Sequence, residues 1–517
     1  MKIFKMTGVL IMSLAVLMSA GCKGNEKVNN GEEYKVPDKL MTPDEYKSRV
    51  DELANYTNFS VADAEYIEKI DTLRNDLFDM IYYNSDENTP AHTGKTYYVS
   101  NEGDDSNDGL TEKTPWATLD KVNSADFEEG DAVLFCRGDL FRGRIACMNG
   151  VTYAAYGSGP KPKIYNSVDG KTYGKWVKTD TENVWVLDKN YIECDDIGVV
   201  VFNVDVNFGE FYAEKKNSLS DLKENFDFFY NGPLVKGGFD NKLYLYYDGG
   251  NPAESFDSIE ISGNKISFMI PNGTHDVTVH NLDLRYGMSN VFASKTKNIT
   301  FSYCLTSFTG GAYTSNETRV RYGGALTGCW EGCDNMVTDF CYIYQQFDSG
   351  VTPQFHMAEN DTPVIFNKFI TSNCLIEKCE YSFEFFLSCN NQPDSMFKDC
   401  YFGYNLCRQG GLGFGDKASA SAYVKSWQSH TNRSENCMIE KNIFDRAASN
   451  TLDIGAKNQD GTRSYENLFG MQSNIYIQKR NKSFAQINDI KYKYNEETYS
   501  EIENLGIEKD SVFMFTE

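Results

Sequence analysis

The chain has 517 residues, with 74 acidic against 50 basic side chains and a formal net charge of −24. Hydrophobic residues make up 41% and aromatics 14%, enough apolar surface for a large core and too much for a disordered chain. Nucleic acid and anionic lipid are held through positive charge, so this acidity disfavours both, and no nucleic-acid partner is expected.

At the N-terminus, Lys2 and Lys5 precede an apolar run from Met6 to Met18, followed by Ser19-Ala20-Gly21-Cys22. A positive start, a short apolar stretch and small residues at the cut describe a signal peptide over 1–21. The small residues before Cys22 resemble a bacterial lipobox, which makes Cys22 the expected lipidation site. Residues 22–38 read as a polar tether. The expectation is an exported bacterial lipoprotein, membrane-anchored at the cell surface or the periplasmic face.

Residues 39–90 read as a helical segment. Thr42-Pro43-Asp44-Glu45 is a capping box with proline at the first helical position. Ser60 is expected to cap a second helix, whose Ile67, Ile70, Leu73, Leu77 and Met80 recur at helical spacing. This helix pair is expected to cap one end of the β region that begins after residue 90. Short β runs and turns start in a segment spanning 91–170. Longer aromatic strands over 171–262, such as Asn183–Leu187 and Lys242–Gly250, predict an inserted antiparallel β unit. Residues 263–517 form the main repeat region.

Cys304, Cys341, Cys379, Cys400 and Asn442 align as a repeat. Phe301, Thr338, Ile376, Phe397 and Ile439 stand three residues before them. A unit of 21–23 residues, enlarged in some copies, predicts an all-β solenoid of the parallel β-helix kind. At one fixed phase, cysteines stack as small buried hydrophobes and asparagine ladders its amide, so free thiols are expected. Cys329 and Cys333, read as a loop, are the best exception. The enlarged copies place extra residues at 312–333, 353–372 and 411–435, expected to wall a groove that suits a polysaccharide.

Asp348 and Glu384 stand beside that edge, read as similar in phase on consecutive coils. Paired glycosidase carboxylates lie ~5–9.5 Å apart, within reach of adjacent strands. Glu384 sits among Phe383, Phe385 and Phe386, an apolar setting that suits a general acid, with Asp348 as nucleophile or base. The plain alternative is a turn-forming Asp348 and a structural Glu384. Trp330, Glu331, His356 and Trp427 are candidate sugar contacts, with ordinary loop packing as the alternative. Arg319, Arg321 and Arg446 are expected to be exposed arginines rather than ligands of an acidic sugar. No cofactor is expected. Asp104–Gly109 resembles half of a Ca²⁺ loop, but Pro115 stands where the bidentate glutamate belongs, so a turn packing Trp116 is the better reading. No metal site is assigned.

The stretches YYVSNEGDDSNDGLTEKTPWATLDKVN (97–123), GDAVLFCRGDLFRG (130–143), LYLYYDGGNP (243–252) and CYIYQQFDSGVTPQ (341–354) resemble right-handed parallel β-helix proteins of the pectate-lyase-like superfamily, most of all its glycoside hydrolases. The resemblance implies an all-β fold: a right-handed solenoid carrying the inserted β unit and the N-terminal helices. The functional expectation is a surface lipoprotein glycosidase that hydrolyses a complex polysaccharide or glycan with a carboxylate pair. The alternatives are a polysaccharide lyase acting on uronates and a non-catalytic glycan-binding lipoprotein. The repeat region shows no clear Lys/Arg cluster, which lowers the lyase reading.

Overall fold

The computed structural model describes residues 34–516, apart from 86–88, 192–193, 204–210, 236–237, 264–265, 314, 316–319, 357–359, 390, 417, 427–433, 455–468, 488–489 and 505–506. The protein is mostly β, with large parallel sheets. In one of them every strand pairs with a strand from the next turn of the chain. Leu305 pairs with Tyr342, Tyr342 with Leu375, Leu375 with Leu406, Leu406 with Ile443, Ile443 with Ile475 and Ile475 with Val512.

The residue entering each of these strands forms the true interior row: Cys304, Cys341, Cys374, Asn405, Asn442 and Asn474. All six are fully buried. This corrects the repeat read from sequence. Cys379 and Cys400 do not belong to the row, and the turns advance by 37, 33, 31, 37 and 32 residues between these six positions. A 21–23-residue unit fails because most turns hold more than two strands. Much of what reads as inserted loop is strand: Thr327–Asp339, Ser349–His356 and Ala422–Ser426.

The row is held by its own side chains. Asn405 Nδ2 donates to Asn442 Oδ1 at 3.0 Å, and Asn442 Nδ2 to Asn474 Oδ1 at 3.1 Å. The same oxygens accept the backbone N–H of Asn405 and Asn442. The residue before each row member lies in the left-handed region: Tyr303, Phe340, Asn373, Tyr404, Lys441 and Ser473, with φ from 46° to 55° in the first four and 58° and 54° in the last two. That conformation costs roughly 1–2 kcal/mol in a non-glycine residue. It turns the chain sharply enough for Cys or Asn to face inward, where burial and the ladder offset the strain.

Cys379 and Cys400 are nevertheless buried free thiols, as are Cys304 and Cys341. Cys400 belongs to a second row, its backbone N–H directed at Cys437 Sγ at 3.4 Å. Cys329 and Cys333 are also free, and lie in the Thr327–Asp339 strand rather than a loop.

Helices α1 (Pro43–Leu53) and α2 (Ala64–Tyr82) do not cap the end of the stack. They lie across the outer face of the parallel sheet just described. Tyr46, Tyr66, Ile70, Leu73 and Leu77 are fully buried there with Leu305, Leu375, Leu406 and Ile443. Arg74 clamps Glu377 through Nε and Nη2, and Asp71 meets Arg408 at 2.5 Å. Thr42 and Glu45 form the capping box. The N-cap of α2 is Asp63, not Ser60, which instead joins a strand edge beside Met514.

After Tyr165 the chain leaves the stack and returns at Ile266–Met269, which pairs parallel with Ile145–Ala146; the strand of Asp283 then pairs with Lys163–Tyr165. The excursion carries its own sheets. Val184–Leu187 pairs antiparallel with Lys242–Tyr246 and Trp176–Lys178, and Ile197–Phe202 pairs antiparallel with Ile259–Gly263. Trp176, Trp185, Phe228 and Ile261 build a separate small core.

Candidate functional site

The strands Thr327–Asp339, Ser349–His356, Tyr381–Ser388, Ala422–Ser426 and Leu452–Ile454 run parallel, side by side. Val351, Phe355, Phe383, Phe385, Leu387, Val424, Leu452 and Ile454 belong to the main core. Strand alternation then turns the residues between them away from the core. Val351 pairs with Phe383, Glu384 with Lys425 and Lys425 with Asp453. The outward face therefore presents Glu384, Lys425 and Asp453 on three neighbouring strands about 4.8 Å apart.

Donors converge on the Glu384 carboxylate. Ser349 Oγ and Gln354 Nε2 both donate to Oε2, the latter at 3.0 Å, and Lys425 Nζ lies 3.9 Å from Oε1. The Lys425 ammonium also sits over the Tyr381 ring, 3.7 Å from its centroid. Burial pushes the Tyr381 phenol well above its ordinary pKa, and the carboxylates of Asp348, Glu384, Glu380 and Asp453 push it the same way. Four carboxylates thus lie within electrostatic reach of one phenol, with a lysine among them.

This corrects the expected setting of Glu384. Phe383 and Phe385 point into the core and Glu384 points out, so its carboxyl meets a hydroxyl, an amide and an ammonium. Hydrogen bonds and a cation favour the ionised form of a carboxylate, which suits a base or nucleophile better than an acid. The phase of Asp348 is corrected too. Ser349 pairs with Tyr381, and the Tyr381 N–H donates to the Asp348 carbonyl at 3.1 Å. Asp348 therefore stands beside Glu380, and Glu384 lies four residues further along the same strand. The repeat read from sequence matches Cys341 to Cys379 where the fold matches it to Cys374, hence the slip. Gly324 packs against Asp348: at φ 116°, a Cβ there would come within 3.0 Å of the Asp348 nitrogen.

Trp330 pairs with Gln354 and Gln354 with Phe386, two residues along the strand from Glu384, and Trp330 is partly buried against the main core. Glu331 is engaged elsewhere, accepting from Ser294 Oγ at 3.1 Å and meeting Lys295 at 3.4 Å. His356 pairs with Ser388 through its backbone; its side chain, Trp427, Arg319, Cys22 and the whole signal peptide lie outside the described residues. Arg321 and Arg446 are not exposed cations. Arg321 stacks on Phe347 at 4.4 Å and donates to the Gly311 carbonyl at 2.7 Å, and Arg446 pairs with Asp445 at 2.6 Å. In the Asp104–Gly109 turn, Asp105 Oδ1 accepts from the Ala117 and Thr118 N–H groups and Asp108 Oδ1 from Leu110 N–H. Trp116 Nε1 donates to the Asn107 carbonyl at 3.0 Å. Among the described residues no group of three or more His, Cys, Asp or Glu side chains is arranged to hold a metal ion.

Sequence reasoning missed Glu380, Tyr381, Lys425, Asp453, Ser349 and Gln354. Glu380 and Tyr381 were within reach, because they flank Cys379 in the same acidic and aromatic run. Lys425 and Asp453 were not: their places beside Glu384 depend on turn lengths that only the fold reveals.

No protein-family profile matches the chain. A stretch of 107 residues, 19% of this chain, is 33% identical to a lacto-N-biosidase of Bifidobacterium longum subsp. longum, and that stretch spans 7% of the relative's length. Among solved structures, a xylose complex of XylC aligns over 76% of this chain and 71% of its own, at 13% identity and a TM-score of 0.44. A GH136 lacto-N-biosidase from Eubacterium ramulus aligns over 92% of this chain and 81% of its own, at 13% identity and a TM-score of 0.37. A further glycoside hydrolase aligns over 81% and 97%, at 8% identity and a TM-score of 0.44. The local sequence relative and two of these three structures are glycoside hydrolases by name, and the chain is similar to them.

Proposed function

We propose that the protein is a right-handed parallel β-helix glycoside hydrolase that cleaves a complex glycan at the outward face bearing Asp348 and Glu384. The observation that carries this reading is the outward Glu384 carboxylate, held by Ser349, Gln354 and Lys425 beside a second carboxylate-bearing strand edge. The stretch similar to a lacto-N-biosidase supports hydrolysis rather than mere binding. In this reading Glu384 is the ionised partner, acting as base or nucleophile. Asp348, with Glu380 beside it, is the partner carboxyl. Glycoside cleavage uses such a pair of carboxyl groups. Lys425 is a positioning residue that holds Glu384 ionised. Trp330 offers a sugar-stacking face.

A lyase is the second reading, favoured by the Lys425–Tyr381 pair, since a base and a phenol side by side suit proton abstraction. The deciding experiment exposes the full chain to a panel of neutral and uronate glycans and follows reducing ends together with unsaturated-uronate absorbance. New reducing ends without absorbance support hydrolysis; absorbance replaces it with elimination. Neither signal on any glycan, with retained binding, makes the protein a binder.

Cys22 lipidation belongs to the same proposal. The small-residue triplet before Cys22 and the polar tether after it support a surface anchor. Labelled fatty acid should enter the protein, and Cys22→Ala should release it from membranes.

A further inference from the structure

Asp348 lies in the short connection between the strands Tyr342–Gln346 and Ser349–His356. A connection of this kind takes its place from what packs around it. Two segments distant in sequence close on it. The first is the hairpin of Ala312–Tyr313 and Arg321–Tyr322. The Arg321 guanidinium lies over the Phe347 ring, 4.4 Å from its centroid, and Nε donates to the Gly311 carbonyl at 2.7 Å, which closes the hairpin. Gly324, just after it, abuts the backbone nitrogens of Phe347 and Asp348. The second segment is 413–416. The Phe414 ring packs 5.5 Å from that of Phe347, and its N–H donates to Gln345 Oε1 at 2.8 Å. Gly415 sits against the Phe347 carbonyl and the Glu380 carboxylate. Arg321 Nη1, 3.7 Å from Asp416 Oδ2, joins the two segments.

The hairpin is in turn tied to the inserted β unit. Asp196 Oδ2 accepts from the Tyr313 N–H at 2.6 Å and from the Lys215 ammonium, and the Lys215 and Asp196 side chains are only 4% and 2% exposed. Breaking so buried a pair leaves an uncompensated charge, so the hairpin has a firm footing on the inserted unit. Arginine suits the place above it. A planar guanidinium stacks on a ring and donates in its own plane at the same time, which an ammonium does not.

We infer that Arg321 is a positioning residue for Asp348. Stacked on Phe347 and bonded to both flanking segments, it fixes the turn that carries this carboxyl and links the inserted unit to the reactive face. The role rests on Asp348 being one of the two reacting carboxyl groups.

Two measurements on the full chain test it. Amide hydrogen exchange followed by mass spectrometry needs no substrate. Arg321→Met should speed exchange about tenfold in the peptide spanning 345–350, where the Phe347 N–H donates to the Thr309 carbonyl at 2.9 Å. The Tyr381–Ser388 strand should stay as protected as in the parent. Asp416→Asn, at a side chain 46% exposed, removes only the link between the two segments and should act in the same direction more weakly. The second measurement follows turnover of a panel of 4-nitrophenyl glycosides of neutral mono- and disaccharides. Arg321→Met should lower kcat roughly 10–100-fold with KM nearly unchanged, the penalty of a misplaced group, and Arg321→Lys should not restore it. In an Asp348→Asn background the same substitution should cost nothing further, because the group it places is already gone. Unchanged exchange over 345–350 in both variants overturns the role, as does an equal loss of kcat from Arg321→Met with and without Asp348. If the parent cleaves no member of the panel, or Asp348→Asn turns over at the parent's rate, it is the reading of Asp348 that fails, and Arg321 then has no reaction to serve.

Discussion

Two rows of side chains run across the same turns, and they obey opposite rules. The interior row reads Cys304, Cys341, Cys374, Asn405, Asn442, Asn474, changing once from thiol to amide and otherwise repeating. The outward row reads Glu384, Lys425, Asp453, reversing charge at every step. In the interior each residue's partner is its own counterpart one turn away, so a ladder is stable only if neighbours are alike or complementary in hydrogen bonding. On the outward row the partners are unlike side chains, such as Ser349, Gln354 and Lys425 around Glu384, and each position is free to differ. Repetition therefore marks what holds this fold, and departure from repetition marks where it can do chemistry.

The sharpest way to break the comparison is at the outward row. Asp348→Asn and Glu384→Gln should each lower kcat by roughly 10²–10⁴-fold, the range for acid–base participation, with unchanged circular dichroism and thermal midpoint. Turnover within threefold of the parent in both variants would remove this face as the reactive centre.

The interior row should respond in the opposite sense. Asn442 donates to the Phe402 carbonyl and Asn474 Oδ1 and accepts from Asn405 N–H and Nδ2. Asn442→Leu breaks all four and strands partners on both sides, at a cost of about 3 kcal/mol. Denaturant unfolding should report that loss, while kcat of the remaining folded protein stays near the parent's. A loss of under about 0.5 kcal/mol would mean that the ladder is incidental.

The two rows were not equally legible in the sequence. Ladder chemistry was readable, because Cys304, Cys341 and Asn442 recur in similar apolar surroundings. Their register was not: Cys374 and Cys379 lie five residues apart in one turn, and either satisfies the local pattern. The corners before them, at Asn373 and Lys378, are alike at φ 55°, and only the strand pairing decides: Leu375, after Cys374, pairs with Tyr342, after Cys341. That slip carried through to the site, pairing Asp348 with Glu384 where the fold pairs it with Glu380. Glu384 itself was found because a carboxylate amid phenylalanines stands out. Its environment was misjudged because strand alternation sends Phe383 and Phe385 to the far side.

Where the ladder ends, titration enters. Glu508 is buried, with Tyr476 Oη and Ser511 Oγ donating at 2.5 and 2.7 Å, and burial is the main reason its pKa is raised to about 7 from 4.5. The folded protein holds this proton more tightly than the unfolded chain. Its contribution is therefore fully present below pH 4.5 and is lost as pH rises through about 7. The loss is on the order of 3 kcal/mol. Glu508→Gln should flatten the decline in unfolding free energy between those pH values and raise the thermal midpoint at pH 8. An unchanged slope would show that the carboxyl is not the titrating group.

Lys425 should give the smallest effect and the most specific one. Its ammonium touches Glu384 at 3.9 Å and covers the Tyr381 ring at 3.7 Å, with the side chain only 9% exposed. A merely structural lysine, once removed, would lower stability and leave the pH dependence of catalysis alone. A lysine that holds Glu384 ionised does something else. Without the cation the carboxylate is harder to ionise, so the acid limb of kcat/KM moves to higher pH. Lys425→Met keeps the stem packed on Tyr381 and removes only the charge. It should lower kcat/KM about tenfold near neutrality and restore part of that loss as pH is raised. Lys425→Arg, which keeps the charge, should stay closer to the parent in the position of that limb. An acid limb at the same pH in all three proteins would reduce Lys425 to packing, and the alternating charges of the outward row would then have no part in the reaction.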